Sequence, residues 1–120
     1  MISKLDSVTI IHNPNCSKSR QALEFLNSRN ITPIVIDYLR TPLDANEILK
    51  ILDYLQLSPE DIIRTKEKYF EEHFANVKLD RSQIIDILEK NPILIQRPII
   101  IRGKKAVIGR TIRKIREFLD

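Results

Sequence analysis

Val8-Thr9-Ile10-Ile11-His12-Asn13-Pro14-Asn15-Cys16-Ser17-Lys18-Ser19-Arg20 starts as a β-branched apolar run, breaks at an Asn-Pro-Asn turn and resumes with helical spacing. The run Val8-Thr9-Ile10-Ile11 has the length and residue types of a buried strand. Pro14 and its flanking asparagines supply the turn. Beyond Cys16, the residues Ala22, Leu23, Phe25 and Leu26 recur as one apolar stripe, which predicts an amphipathic helix over 17–29 packed on a sheet. Pro33-Ile34-Val35-Ile36-Asp37-Tyr38 then reads as a second strand. A strand returning after one helix makes a β-α-β unit, in which the two strands run parallel.

Working outward, Asp44 caps a helix carrying Ile48, Leu49, Ile51, Leu52 and Leu55. Ser58-Pro59-Glu60-Asp61 starts another, with a capping serine and proline at the first helical position, and Arg64 falls near its end. Asp80-Arg81-Ser82-Gln83 resembles a capping box, and Ile84, Ile85, Ile87 and Leu88 continue the helix until Asn91-Pro92 stops it. Ile99-Ile100-Ile101 and Ala106-Val107-Ile108 flank Gly103-Lys104 and predict an antiparallel hairpin. A last helix is expected from about Thr111 to Leu119. The order β-α-β, several helices, β-β-α gives an α/β chain with a mixed sheet and a helical insertion. Neither repeats nor low-complexity linkers interrupt it, so residues 1–120 are expected to form a single domain.

Cys16 is the only cysteine in the sequence, and it stands where strand gives way to helix. A helix start presents unpartnered N–H groups and the positive end of the macrodipole, both of which favour a thiolate. The basic residues His12, Lys18 and Arg20 are expected to act in the same direction. Three positions on stands Ser19, giving C-x-x-S where a dithiol oxidoreductase has C-x-x-C. No internal disulfide can form, so a redox cycle must take its second thiol from another molecule, such as glutathione, glutaredoxin or thioredoxin. A phosphatase-type cysteine loop would need an arginine where Ala22 stands. His12 either lowers the thiolate pKa, by charge or hydrogen bonding, or orients the loop from the strand end. Asn13 and Ser19 are read as loop-shaping hydrogen-bonding residues, with Ser19 also placed to bond the thiolate.

The run His12 to Arg20 resembles the active-site loop of the glutaredoxin-coupled arsenate reductase family. Leu94-Ile95-Gln96-Arg97-Pro98-Ile99 resembles that family's arginine-proline signature entering a strand. Ile62-Ile63-Arg64-Thr65-Lys66 and Ile108-Gly109-Arg110 resemble its other arginine sites, although Thr111 follows where the family usually has proline. The resemblance implies a thioredoxin-like fold, with a four-stranded mixed sheet flanked by helices. It also implies that the proline after Arg97 is cis and faces Cys16. As for activity, it implies reduction of arsenate or a similar oxyanion to arsenite by the Cys16 thiolate, with His12 and Ser19 in the catalytic loop. Arg64, Arg97 and Arg110 would then bind the oxyanion, since planar guanidinium groups suit paired oxygens. Glutathione is implied as co-substrate and glutaredoxin as the partner that completes the two-electron transfer, with no bound cofactor. Two other readings stay open: a monothiol reductase of glutathione mixed disulfides, and a redox-responsive regulator of the same fold. Regulators of that kind typically carry C-x-x-C near the N-terminus.

Composition narrows the class further. The formal charge is +4, concentrated after Arg97 in Arg102, Lys104, Lys105, Arg110, Arg113, Lys114 and Arg116 against Glu117 and Asp120. A nucleic-acid reader would interleave aromatics there, and the stretch holds only Phe118, so nucleic acid is not an expected partner. His73 is remote from His12 and Cys16, which leaves no metal-ligand cluster. The sequence does not open with a basic segment followed by an apolar one, and no apolar run approaches the ~20 residues of a spanning helix. A cytoplasmic protein without membrane association is expected, a reducing compartment also suiting a free functional thiol.

Overall fold

A computed structural model describes residues 7–120. The reading of the opening residues as free of a leader falls partly outside this range. The chain forms two compact units, one made of the chain up to Thr41 with Arg97–Asp120, the other of Pro42–Gln96.

The first unit holds the sheet. Strands β1 (Val8–His12), β2 (Ile34–Asp37), β3 (Ile99–Arg102) and β4 (Lys105–Ile108) lie in the order β2-β1-β3-β4. β1 pairs β2 in parallel and β3 antiparallel, and β3 pairs β4 antiparallel. Helix α1 (Ser17–Ser28) makes the crossover from β1 to β2, and the last helix, α6 (Ile112–Leu119), shares its core. Val8 and Ile10 project from one face of β1, as the two-residue strand period requires. With Ile100 of β3 they meet Ala22 and Leu26 of α1 and Ile115 and Leu119 of α6. Ile10, Leu26, Ile100 and Ile115 are fully buried, each worth roughly 1.5–3 kcal/mol against the exposed state.

Between β2 and β3 in the chain come α2 (Ala45–Leu55), α3 (Pro59–Ile62), α4 (Lys68–Phe74) and α5 (Arg81–Lys90), the helices of the second unit. Asp44 and Asp80 each close a capping box, accepting from Glu47 N–H at 2.8 Å and Gln83 N–H at 2.8 Å. Glu89 of α5 accepts from Ala45 N–H at 2.8 Å, satisfying an N–H of the first turn of α2 that has no partner within the helix. The Ser58-Pro59 start produces one turn, not an extended helix, because Ile63 is already in extended conformation. Ile63 instead bridges Ile95, with Arg64 N–H donating to the Leu94 carbonyl at 2.7 Å and Gln96 N–H to the Ile62 carbonyl at 2.8 Å. α4 buries none of its residues.

The mixed four-stranded sheet with an inserted helical segment is the arrangement expected from the sequence, and it is the thioredoxin-like fold that the family resemblance implied. Among the described residues no helix is long and apolar enough to cross a membrane.

Candidate active site

Cys16 is the N-cap of α1, with extended backbone angles (φ −103°, ψ 123°). The Asn13 carbonyl accepts from Cys16 N–H at 3.0 Å, and the Cys16 carbonyl from Arg20 N–H at 3.0 Å, which fixes the turn from strand to helix. Asn13 Oδ1 accepts from Asn15 N–H at 2.9 Å, while Arg20 donates from outside to the Pro14 carbonyl at 2.9 Å. The sulfur that this loop presents is neither buried nor fully exposed.

At an N-cap an oxygen side chain ordinarily accepts from the N–H groups two and three residues into the helix. Cys16 makes no ordinary cap bond of that kind, but its sulfur has the same neighbours. Burial is the largest single influence on the thiol and pushes its pKa up; against it act the Ser19 N–H, the Arg97 side chain through a hydrogen bond and its charge, and the Lys18 N–H. Together they win, and the Cys16 pKa lies below that of an ordinary thiol. Lys18 therefore contributes through its backbone, where its charge had been expected to act.

Ser19 is completely buried. Its hydroxyl oxygen accepts from Asn13 N–H at 3.0 Å and lies 2.6 Å from His12 Nδ1. Ser19 thus meets the thiolate through its N–H while its hydroxyl ties strand, loop and helix together. His12 is buried as well, and its pKa is lowered, first by burial and to a smaller extent by Arg20, with Asp37 opposing. The ring is neutral near pH 7, which favours the loop-orienting role over stabilisation of the thiolate by charge. Asp37, the register partner of His12 on β2, was missed by sequence reading. Its only signal there was a charge ending an otherwise apolar strand.

Arg97 precedes Pro98 across a cis peptide bond at the entrance to β3, as the resemblance implied. It is 9% exposed, and its side chain hydrogen-bonds Cys16. Arg110 follows β4 and donates to the Arg97 carbonyl at 3.3 Å. Its position depends on Gly109, whose N–H donates to the Pro98 carbonyl at 2.9 Å. A Cβ there would lie 2.9 Å from Ile100 Cδ1 and 3.0 Å from Ile115 Cγ1. Thr111 caps α6, its hydroxyl accepting from Lys114 N–H at 3.2 Å, which gives the residue standing in the family's proline position a structural job. The first unit therefore brings together Cys16, His12, Ser19, Arg97 and Arg110. Arg64 belongs to the second unit, where its backbone is tied to Leu94.

A partly exposed cysteine of lowered pKa, two backbone donors and a hydrogen-bonded guanidinium are the equipment for nucleophilic attack on an anionic centre. Comparison with known proteins agrees with this arrangement. The chain is 36% identical over 117 residues to an arsenate reductase of Neisseria meningitidis, covering 96% of this chain and 100% of that one. It is 37% identical over 113 residues to the global transcriptional regulator Spx of Streptococcus mutans, covering 93% of this chain and 82% of the regulator. Among solved structures, an arsenate reductase from Vibrio cholerae superposes with a TM-score of 0.87 at 33% identity, over 93% of this chain and 97% of that one. The sequence pattern of the ArsC family matches residues 11–118, and with a cysteine loop, an arginine-proline strand entry and a fold to match, this chain belongs to the ArsC family.

Proposed function

We propose that the protein reduces arsenate to arsenite, with Cys16 as nucleophile and glutathione and glutaredoxin as electron donors. The observation that carries this reading is the support of the Cys16 sulfur by Ser19 N–H, the Arg97 guanidinium and Lys18 N–H, in a chain with no other cysteine. The Cys16 thiolate attacks arsenic, and an oxygen leaves as water, forming a sulfur–arsenic bond. Glutathione then attacks the Cys16 sulfur. The sulfur–arsenic bond breaks with its electron pair passing to arsenic, arsenic falls from the pentavalent to the trivalent state, and the two sulfurs are left as a mixed disulfide. Glutaredoxin removes the glutathione and restores the thiolate. Arg97 and Arg110 neutralise the oxyanion, and Arg64 joins them on the strength of its sequence context alone.

The similarity to a regulator named Spx supports a second reading, in which the thiol senses and does not catalyse. A dithiol switch needs a second cysteine. Here the third position after Cys16 is Ser19, whose hydroxyl is committed to His12 and Asn13.

The deciding assay supplies purified protein with arsenate, glutathione and glutaredoxin, and follows arsenite release. Turnover is expected, to vanish in Cys16→Ser and to weaken in Arg110→Ala and Arg64→Ala with thermal stability kept. Failure to reduce arsenate with any thiol donor would reject the enzymatic reading, and full turnover with thioredoxin and its reductase in the absence of glutathione would reject the donor assignment. Wild-type kinetics in either arginine variant would remove that arginine from the site.

A further inference from the structure

β2 reads Ile34-Val35-Ile36-Asp37, so Asp37 is its one charged residue, and it is the register partner of His12 across the parallel pair with β1. In-register neighbours on adjacent strands are about 4.8 Å apart and carry their side chains on the same face. His12 is turned to the face that α1 covers, since its Nδ1 lies 2.6 Å from Ser19 Oγ. A half-buried carboxylate on β2 therefore stands beside a buried imidazole on β1, which in turn meets the buried hydroxyl of Ser19 in the first turn of α1.

The bonding of Ser19 narrows the tautomer of His12. A hydroxyl has one proton to donate, and the Ser19 oxygen already accepts from Asn13 N–H. Donating that proton to His12 Nδ1 uses the hydroxyl fully and leaves the neutral ring with its own proton on Nε2. Two charged groups act on the ring, Asp37 and Arg20, and of the two only Asp37 favours a bound proton. Ser19 is also the third residue of α1, whose N–H supports the Cys16 sulfur. What fixes the Ser19 hydroxyl fixes that donor.

We propose that Asp37 is a positioning residue for Cys16: it holds the His12 proton on Nε2, which keeps the Ser19 hydroxyl bonded to Nδ1 and the first turn of α1 aimed at the sulfur. The inference rests on the reading of Cys16 as the reactive thiolate. A purely structural role is the competing account, since Asp37 Oδ1 also accepts from Leu39 N–H at 3.2 Å in the turn that leaves β2. Asparagine keeps that acceptor and removes the charge, so Asp37→Asn separates the two.

The test uses the full chain. Nitrogen–proton spectra of the His12 ring report its tautomer, and alkylation of the sole cysteine below its midpoint pH reports the thiolate fraction. The wild-type ring is expected in the Nε2–H form. Asp37→Asn is expected to mix the tautomers and slow alkylation about two- to fivefold, with melting temperature unchanged. Loss of a nearby negative charge without repositioning would instead speed alkylation, so a faster or unchanged rate overturns the proposal. A wild-type ring in the Nδ1–H form overturns it without any variant. Arsenate turnover is not read, so its absence would reject the proposed function and leave this inference standing.

Discussion

Replacing Arg97 by alanine removes a guanidinium that hydrogen-bonds Cys16 from a nearly buried position. The main chain stays, so the carbonyl that anchors Arg110 is retained and the effect is confined to one side chain. A hydrogen bond to a charged group is worth roughly 1.5–3 kcal/mol, or about tenfold to somewhat over a hundredfold in kcat/KM for arsenate. The lower half of that range is expected, because Cys16 itself is partly exposed and water takes over part of the lost interaction. The thiol pKa should move up, since two of the influences that lower it, a hydrogen bond and a charge, leave together while burial and both backbone donors remain. Arg97→Lys should recover part of the thiolate shift and little of the turnover, because a point charge cannot present two parallel donors to paired oxygens. Alkylation against pH and steady-state kinetics on the same three proteins measure both effects. If Arg97→Ala alkylates with the wild-type midpoint and turns over arsenate at the wild-type rate, the guanidinium supports neither sulfur nor substrate.

Two further expectations concern the frame of the site. Gly109→Ala would press a methyl group against Ile100 and Ile115, both fully buried, and should cost about 1–3 kcal/mol in urea unfolding, with activity falling further as Arg110 is displaced; an unchanged midpoint would show that the two isoleucines yield freely. His12 has a folded-state pKa below its ordinary 6.5, so as pH falls through 6.5 the unfolded chain takes up a proton that the folded chain refuses, and stability declines. Urea midpoints measured downward from neutral pH should show that slope in the wild type and a shallower one in His12→Gln, and equal slopes would place the titration elsewhere.

Much of the framework was legible because it rests on local chemistry. Capping residues and prolines bound α2 and α5 in sequence as they do in space, since Asp44 and Asp80 act within a single helical turn. Strand and helix periods placed Ile10 and Ile100 in strands and Leu26 on the apolar stripe of the first helix, and all three are core positions in the fold. Where local signals competed, the reading was less complete: Ser58-Pro59 begins a helix, but the bridge from Ile63 to Ile95 stops it after one turn, and that partner lies far along the chain.

By itself the sequence determined that one thiol stands at a strand-to-helix turn, that it has no second cysteine to pair with, and that arginines suited to an oxyanion occur in separate segments. Those statements depend only on residue order and on the intrinsic chemistry of each side chain. Tertiary structure decided which groups act on the sulfur. Basic neighbours in sequence were expected to lower the Cys16 pKa by charge, but side chains on a helix leave it in different directions. The lowering comes instead from the Ser19 and Lys18 N–H groups and from Arg97, some eighty residues away along the chain and brought alongside by the pairing of β3 with β1. The parallel pairing of β2 with β1 placed Asp37 beside His12. Hydrogen bonds and Coulomb interactions fall off with distance in space, and only the folded sheet sets those distances.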